Sequence, residues 1–254
     1  MKRLNMEINS QDNLENVKKI KFGIFPQNYI EDGAVAEIFT SDTYDGAKPK
    51  NFGLFDPRMG VIEDYLRCPT DDQSDQVCPG YFGKLKLAKP VFNYQFIPYI
   101  EKILKSVCFR CSNILLDKSD PTIINHLQSK KGYKRFVEAV NLCSKVKKCC
   151  HNNGCFVIQP KKYSRLSIHK TVNKDWIVQI KAEFSQPAFK DPKMSKDQIF
   201  TPEMCYRVFQ KISDEDIELL GLSPKYSRPE WMIINTLAVP PPSIRPSVRQ
   251  DNNQ

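Results

Sequence analysis

Cys108-Phe109-Arg110-Cys111 and, after an insertion the length of a helix, Lys147-Lys148-Cys149-Cys150-His151-Asn152-Asn153-Gly154-Cys155-Phe156 contain five of the nine cysteines in this sequence. A C-x2-C pair answered from a distance by a second short-range pair is the pattern of structural zinc. One tight turn aims two thiolates at a single tetrahedral ion at ~2.3 Å, and the second pair closes the shell from elsewhere in the chain. Cys108, Cys111, Cys155 and one of Cys149 or Cys150 complete such a site. Two rivals stand beside it: His151 replaces one sulfur, or the adjacent cysteines are only core residues. A closed shell implies structure, because a catalytic zinc keeps one position open for water. No H-E-x-x-H set is present to supply an open one.

The flanking residues predict how the thiols are carried. From Pro90 to Cys108, Val91, Phe92, Phe96, Ile97, Ile100, Ile103, Leu104 and Val107 recur at three- and four-residue steps, which predicts a helix delivering Cys108 at its end. A second helix, from about Lys131 to Lys147, delivers Cys149 in the same way. Residues 166–184 (LSIHKTV, then DWIVQIKAEF) alternate with β-branched and aromatic side chains and predict a hairpin. Thr201-Pro202 opens a helix with a cap and a first-turn proline. Ser213-Asp214-Glu215-Asp216 caps a short one that ends before Gly221.

Nearer the ends the patterns weaken. Residues 1–20 are polar with a weak amphipathic pattern, and residues 20–30 (IKFGIFPQNYI) predict a short strand followed by a turn or helix start. Thr40 to Pro57, rich in Gly, Pro, Asp and Ser, is an irregular connector. After Trp231-Met232-Ile233-Ile234 the chain runs into Pro240-Pro241-Pro242, which forces an extended polyproline conformation that cannot join a central strand or a helix and needs a surface to lie on. The fold class is therefore α+β, mixed helices and short strands joined by irregular loops.

With 254 residues, 41% of them hydrophobic, the chain can bury a core as one large domain or two small ones. Its net charge of +9 favours a polyanionic partner. The charge is regional: Lys130 to Lys174 holds twelve Lys or Arg against one acid, Glu138, and the remainder is slightly acidic. Lys130, Lys131, Lys134, Arg135, Lys145, Lys147 and Lys148 are the candidate nucleic-acid contacts. A solvated lysine-rich face is the plainer explanation. No run is long and apolar enough for a membrane span or a secretion signal, so the protein reads as intracellular with no membrane partner, and its thiols as reduced. Cys143 and Cys205 fall inside helical patterns and are assigned to packing, and His126 and His169 to surface or core. Cys68 and Cys78 lack a nearby third Cys or His, and two thiols alone do not hold structural zinc, although Asp71 offers an oxygen.

Four further pieces carry a resemblance. They are Gly53-Leu54-Phe55-Asp56-Pro57-Arg58-Met59-Gly60, Cys78-Pro79-Gly80-Tyr81-Phe82-Gly83, Leu87-Ala88-Lys89-Pro90-Val91-Phe92, and Tyr226-Ser227-Arg228-Pro229-Glu230-Trp231-Met232 with Pro240 to Ser247. In order and spacing they resemble the N-terminus of the largest subunit of multisubunit DNA-directed RNA polymerases of the eukaryotic, archaeal and large-DNA-virus type. The resemblance implies a clamp core and clamp head closing over DNA and the RNA–DNA hybrid. It divides the chain into residues 1–100, clamp core with the first zinc motif; 101–185, a zinc-stapled clamp head with a basic face; and 186–254, a return to the clamp core with a proline-rich exit.

The family's second zinc site falls on Cys108, Cys111, Cys149 and Cys155. Its first, C-x2-C-x6-C-x2-H, falls on Cys68, Asp71, Cys78 and Tyr81, where two ligands are replaced, so that site is weakened. The family's N-A-D-F-D-G-D magnesium motif does not occur here, so magnesium and catalysis belong to a part of the polymerase outside this chain. The implied partners are the rest of the largest subunit, the second-largest subunit, the DNA template and the hybrid. The implied location is the nucleus, or a viral factory or virion for a viral member. The alternative is a free-standing, zinc-stabilised nucleic-acid-binding regulator of transcription, for which the 226–247 tail serves no evident purpose.

Overall fold

A computed structural model describes residues 18–20, 22–46, 48–150, 154–169, 176–184 and 197–245, with side chains 165–169 and 176–177 left aside. The chain is α+β, with helices packed among three small sheets. In chain order the elements are α1 (Gln27–Gly33), β1 (Ala36–Glu37), β2 (Tyr44–Asp45), β3 (Lys48–Pro49), β4 (Gly83–Phe92), α2 (Ile97–Ser106), α3 (Pro121–Gln128), α4 (Gly132–Cys143), β5 (Lys162–His169), β6 (Trp176–Glu183), β7 (Asp197–Phe200), α5 (Pro202–Gln210), α6 (Asp214–Leu219) and β8 (Ile233–Val239).

The first sheet corrects the expectation that a helix begins at Pro90. Residues 83–92 form its central strand, β4, parallel to β1 and antiparallel to β8, with Gly83 opposite Val239 and Phe92 opposite Ile233. The register shifts between Lys86 and Val91, where Pro90 has no N–H to give a ladder. The helix starts only after a 3-10 turn at Tyr94–Phe96, capped by the Asn93 side chain accepting from the Gln95 N–H at 3.2 Å. Ile97, Ile100, Ile103 and Leu104 are buried as their spacing requires.

Residues 22–26 form no strand; Ile24 instead donates its N–H to the Tyr226 carbonyl at 2.8 Å, and α1 follows. A Cβ on Gly23 would come within 2.7 Å of that same carbonyl, so the approach depends on glycine. The 40–57 connector is irregular apart from the two-residue β2–β3 ladder. The proline run is extended only at its start: β8 ends at Val239, Pro241 has φ −63° and ψ 156°, and Pro242–Ile244 then makes a 3-10 turn closed by the Ile244 N–H on Pro241 O at 3.1 Å. Its surface is the 53–60 and 78–83 loops. A Cβ on Gly80, itself at φ +80°, would meet Pro241 Cβ at 2.7 Å, and the Arg245 guanidinium lies 5.5 Å from the Phe55 ring centroid.

The hairpin predicted within 166–184 is β5–β6, paired from Lys162 opposite Glu183 to His169 opposite Trp176, and β7 adds a third strand. This sheet, α2, α4, α5 and α6 enclose the main core, which includes Ile100, Leu104, Phe136, Cys143, Tyr163, Ile180, Phe200, Cys205, Phe209 and Ile217. A smaller core of Ala36, Ile38, Met59 and Val239 lies under β1 and β4. Burial pushes the Cys143 and Cys205 thiols up to about 12, which fits packing rather than reactivity. Ser213 caps α6 as predicted, accepting from the Asp216 N–H at 3.3 Å, and Gly221 follows at φ +81°.

Thr201 caps α5 by accepting from the Met204 N–H at 3.3 Å, with Pro202 in the first turn. Thr201→Ala removes that acceptor and leaves the packing of Cys205, Val208 and Phe209 in place. A loss of ~1 kcal/mol in urea unfolding is expected.

Candidate metal centre

Neither thiol pair is carried on a helix end. α2 stops at Ser106, Val107 bridges to Ile114, and the loop between them turns back on itself: Cys108 donates its N–H to Asn113 O at 2.9 Å and accepts from the Ser112 N–H at 2.9 Å. Such a loop needs one left-handed residue, and Ser112 takes it at φ +63°. α4 likewise stops at Cys143, short of the predicted Lys147. Lys148 then bridges to Ile158, Cys149 donates to Val157 O at 3.0 Å and accepts from the Phe156 N–H at 2.8 Å, and Phe156 is left-handed at φ +57°. Two equivalent knuckles therefore face each other. A tight turn, rather than a helix end, is what points two sulfurs at one centre.

The sulfurs of Cys108, Cys111, Cys149 and Cys155 all lie within 4.8 Å of one another, with Cys108 to Cys155 at 3.5 Å and Cys111 to Cys149 at 3.6 Å. A tetrahedron with bonds of ~2.3 Å has edges of about 3.8 Å, so the four donors fit one zinc-sized ion. Cys149 belongs to the cluster; Cys150 is exposed, and His151 lies outside the described residues. Cys108 accepts from the Arg110 N–H at 3.5 Å and from Gln159 Nε2 at 3.2 Å. Burial raises the Cys108 and Cys149 thiols. At Cys111 burial acts the same way but is outweighed by the Asn113 N–H and the neighbouring thiols, which hold it below the usual range. Gln159 had no signal in the spacing, because its part depends on a chain reversal that cysteine counting does not reveal.

Gly154 is fixed by the same packing, since a Cβ there would lie 2.6 Å from Cys149 O and 2.8 Å from its Sγ. Phe109 points from the first knuckle into the main core, edge-on to Phe184 at 5.7 Å and to Phe200 at 5.9 Å. The knuckle is thereby docked on the β5–β7 sheet.

Cys68, Asp71 and Cys78 form a second, three-donor cluster within 4.8 Å, on a loop of the same design. Cys68 donates to Gln73 O at 2.9 Å, the Asp72 N–H returns to Cys68 O at 2.8 Å, and Asp72 takes the left-handed position at φ +56°. Tyr81 donates its hydroxyl to Asp71 at 3.1 Å instead of joining the donors. Burial pushes the Cys78 thiol up to about 11. At Asp71 burial also acts upward, but the Gln73 N–H, Cys78, Tyr81 and Cys68 together hold the carboxyl low.

The seven basic candidates divide. Lys130 pairs with Glu138 at 2.9 Å and lies 3.1 Å from His126. Arg135 donates to the carbonyls of Leu127 (3.0 Å), Lys130 (2.9 Å), Gln128 (3.3 Å) and Glu218 (3.3 Å), so it ties α3 and α4 to α6. These two therefore also make contacts within the fold. Lys131, Lys134, Lys145, Lys147 and Lys148 are exposed. The side chain of His169 lies outside the described residues.

Paired knuckles docked on an α+β core, with a three-donor loop of the same design elsewhere in the chain, define a protein with cysteine clusters that could hold metal. A family model described as RNA polymerase Rpb1, domain 1, matches residues 14–254, and the chain belongs to that family, the N-terminal region of the largest RNA polymerase subunit. It is 32% identical over 249 residues to DNA-directed RNA polymerase subunit 1 of Acanthamoeba polyphaga mimivirus, a match covering 94% of this chain and 16% of that protein. The chain thus spans about 16% of the length of that relative.

Proposed function

We propose that this chain is the clamp segment of a DNA-directed RNA polymerase, holding one structural zinc on Cys108, Cys111, Cys149 and Cys155 and contacting DNA and the RNA–DNA hybrid. The four-thiol cluster carries the reading. A clamp must move as one body, and a shared ion would crosslink two loops that lie far apart in the chain. The zinc supplies crosslinking and charge neutralisation of the thiolates; the chain's residues supply the knuckle turns and the N–H groups that point at sulfur. Residues 1–100 and 186–254 form the clamp core, and 101–185 the clamp head.

The nucleotidyl transfer of the whole enzyme, with its magnesium, belongs to the remainder of the largest subunit and the second-largest subunit, which are the partners of this segment. A viral factory is the compartment that suits the mimivirus relative, and no helix among the described residues is long and apolar enough to cross a membrane. The Cys68, Asp71 and Cys78 loop holds metal more weakly, because it offers three donors and Tyr81 already occupies the carboxylate.

Elemental analysis of the purified chain together with co-purification of a tagged second-largest subunit tests the proposal. One zinc per chain and a stable complex are expected. Two zincs would restore the first site to full strength. A zinc-loaded chain that never associates with the second-largest subunit would favour the free-standing regulator instead.

A further inference from the structure

We propose that Phe156 is a stacking platform for an unpaired base, and that Lys147, Lys148 and Lys161 hold the flanking phosphates of a single-stranded nucleic acid. The proposal rests on the nucleic-acid-facing reading of the basic stretch and gives it a residue and a strand class. The backbone at Phe156 has φ +57°, a conformation suited to glycine and strained for a bulky side chain. The equivalent left-handed positions of the other two loops are filled by Ser112 and Asp72, small polar residues. Phe52 is also left-handed, at φ +61°, but it is less exposed, at 46%, and its ring already has the Arg58 guanidinium at 4.7 Å and the Phe39 ring at 5.8 Å as partners. Phe156 is 63% exposed, and Lys148 Nζ approaches its ring, 5.6 Å from the centroid. The knuckle needs a left-handed residue at this position, but its closing N–H bond to Cys149 O does not need an exposed aromatic ring there.

The surroundings point to the same ligand. A cleft of about 480 Å³ beside the knuckle is lined by Lys147, Lys148 and Lys161 with Ile158, Gln159 and Pro160, and no acid is among its lining residues. Gln159 is 6% exposed, and its Nε2 is committed to Cys108 Sγ at 3.2 Å and Val157 O at 3.0 Å. That fixes the amide so that Oε1 is left without a hydrogen-bond partner. Three ammonium groups and an exposed ring match the phosphates and base faces of a nucleic acid. Only an unpaired strand frees a base to lie on the ring, so single strands are favoured over duplex.

The test uses the full zinc-loaded chain and three labelled ligands: a thymidylate oligomer of about 12 nucleotides, an abasic oligomer of equal phosphate count, and a duplex. The parent is expected to bind thymidylate about tenfold more tightly than the abasic strand. Phe156→Gly should lose that difference while melting at the same temperature or higher, because glycine relieves the left-handed strain. Phe156→Tyr should retain it. Equal binding by parent and Phe156→Gly, or tightest binding of the duplex, would refute stacking while leaving nucleic-acid contact intact. A Phe156→Gly chain that melts lower would make the ring structural and also refute it. A parent that binds none of the three would remove the nucleic-acid reading of the basic stretch as a whole.

Discussion

Replacing Cys108 and Cys111 together by serine is expected to abolish zinc binding and to lower the thermal midpoint of the chain by about 10 °C or more. The two residues supply half of a shell whose sulfurs lie within 4.8 Å of one another, and two thiols alone do not retain structural zinc. Structural zinc contributes ~10–16 kcal/mol in isolated zinc-finger peptides. Here part of the knuckle is held independently by the burial of Val107, Ile114, Leu115 and Leu116, so a smaller share, on the order of 5 kcal/mol, is expected to be lost. At ~2–4 °C per kcal/mol for a chain of this size, that share gives the stated shift.

The loss should spread. Phe109 ties the knuckle to Phe184 and Phe200, so amide exchange is expected to quicken in β6 and β7 before it does in the β1–β4–β8 sheet. Differential scanning fluorimetry with and without a chelator, alongside zinc analysis, measures both halves. A double variant that melts with the parent, or a parent unmoved by the chelator, would show that the thiols are core residues and no staple.

The cysteine spacing was readable because it records a covalent requirement, four sulfurs around one point. So were the Thr201 and Ser213 caps, which depend on residues three apart. What failed depended on contacts distant in sequence. β4 looks helical from Val91 onward because its apolar residues follow into α2 without a break, and the strand exists only because β8, far along the chain, pairs with it. β1 and β7 are too short to have a period of their own. α3 carries a readable start, Asp120 accepting from the Thr122 N–H with Pro121 next, but too few turns to show an apolar stripe. The choice of Cys149 over Cys150 turns on a bridge between Lys148 and Ile158, and that pairing leaves no mark on composition. The contacts of Lys130 and Arg135 inside the fold were not legible either, because their partners, Glu138 and the carbonyls ending α3 and α6, assemble only when the helices pack.

Asp56→Asn is expected to destabilise the chain by ~3 kcal/mol at neutral pH without changing its zinc content. The carboxylate is fully buried and takes four donors: the Phe52 N–H at 2.6 Å, the Arg58 N–H at 3.0 Å, and Arg58 Nε and Nη2 at 2.9 and 2.7 Å. Asparagine keeps the shape but turns one of those oxygens into a donor facing another donor, and the Arg58 guanidinium loses its counter-charge. The same turn seats Met59 in the smaller core against Gly83, and Arg58 O anchors Thr70 at 2.6 Å in the first cysteine loop, so the damage reaches both. Burial acts to raise the Asp56 carboxyl, but the Arg58 side chain and the two N–H groups outweigh it and hold the group below the usual carboxylate range. A depressed folded value means that its contribution is complete above the unfolded value of ~3.9 and is lost as pH falls through the folded one. Urea unfolding should therefore show parent and Asp56→Asn furthest apart at pH 7 and converging below about pH 4. A difference under about 1 kcal/mol at pH 7, or one that persists unchanged into acid, would mean that the Asp56–Arg58 pair does not hold this turn.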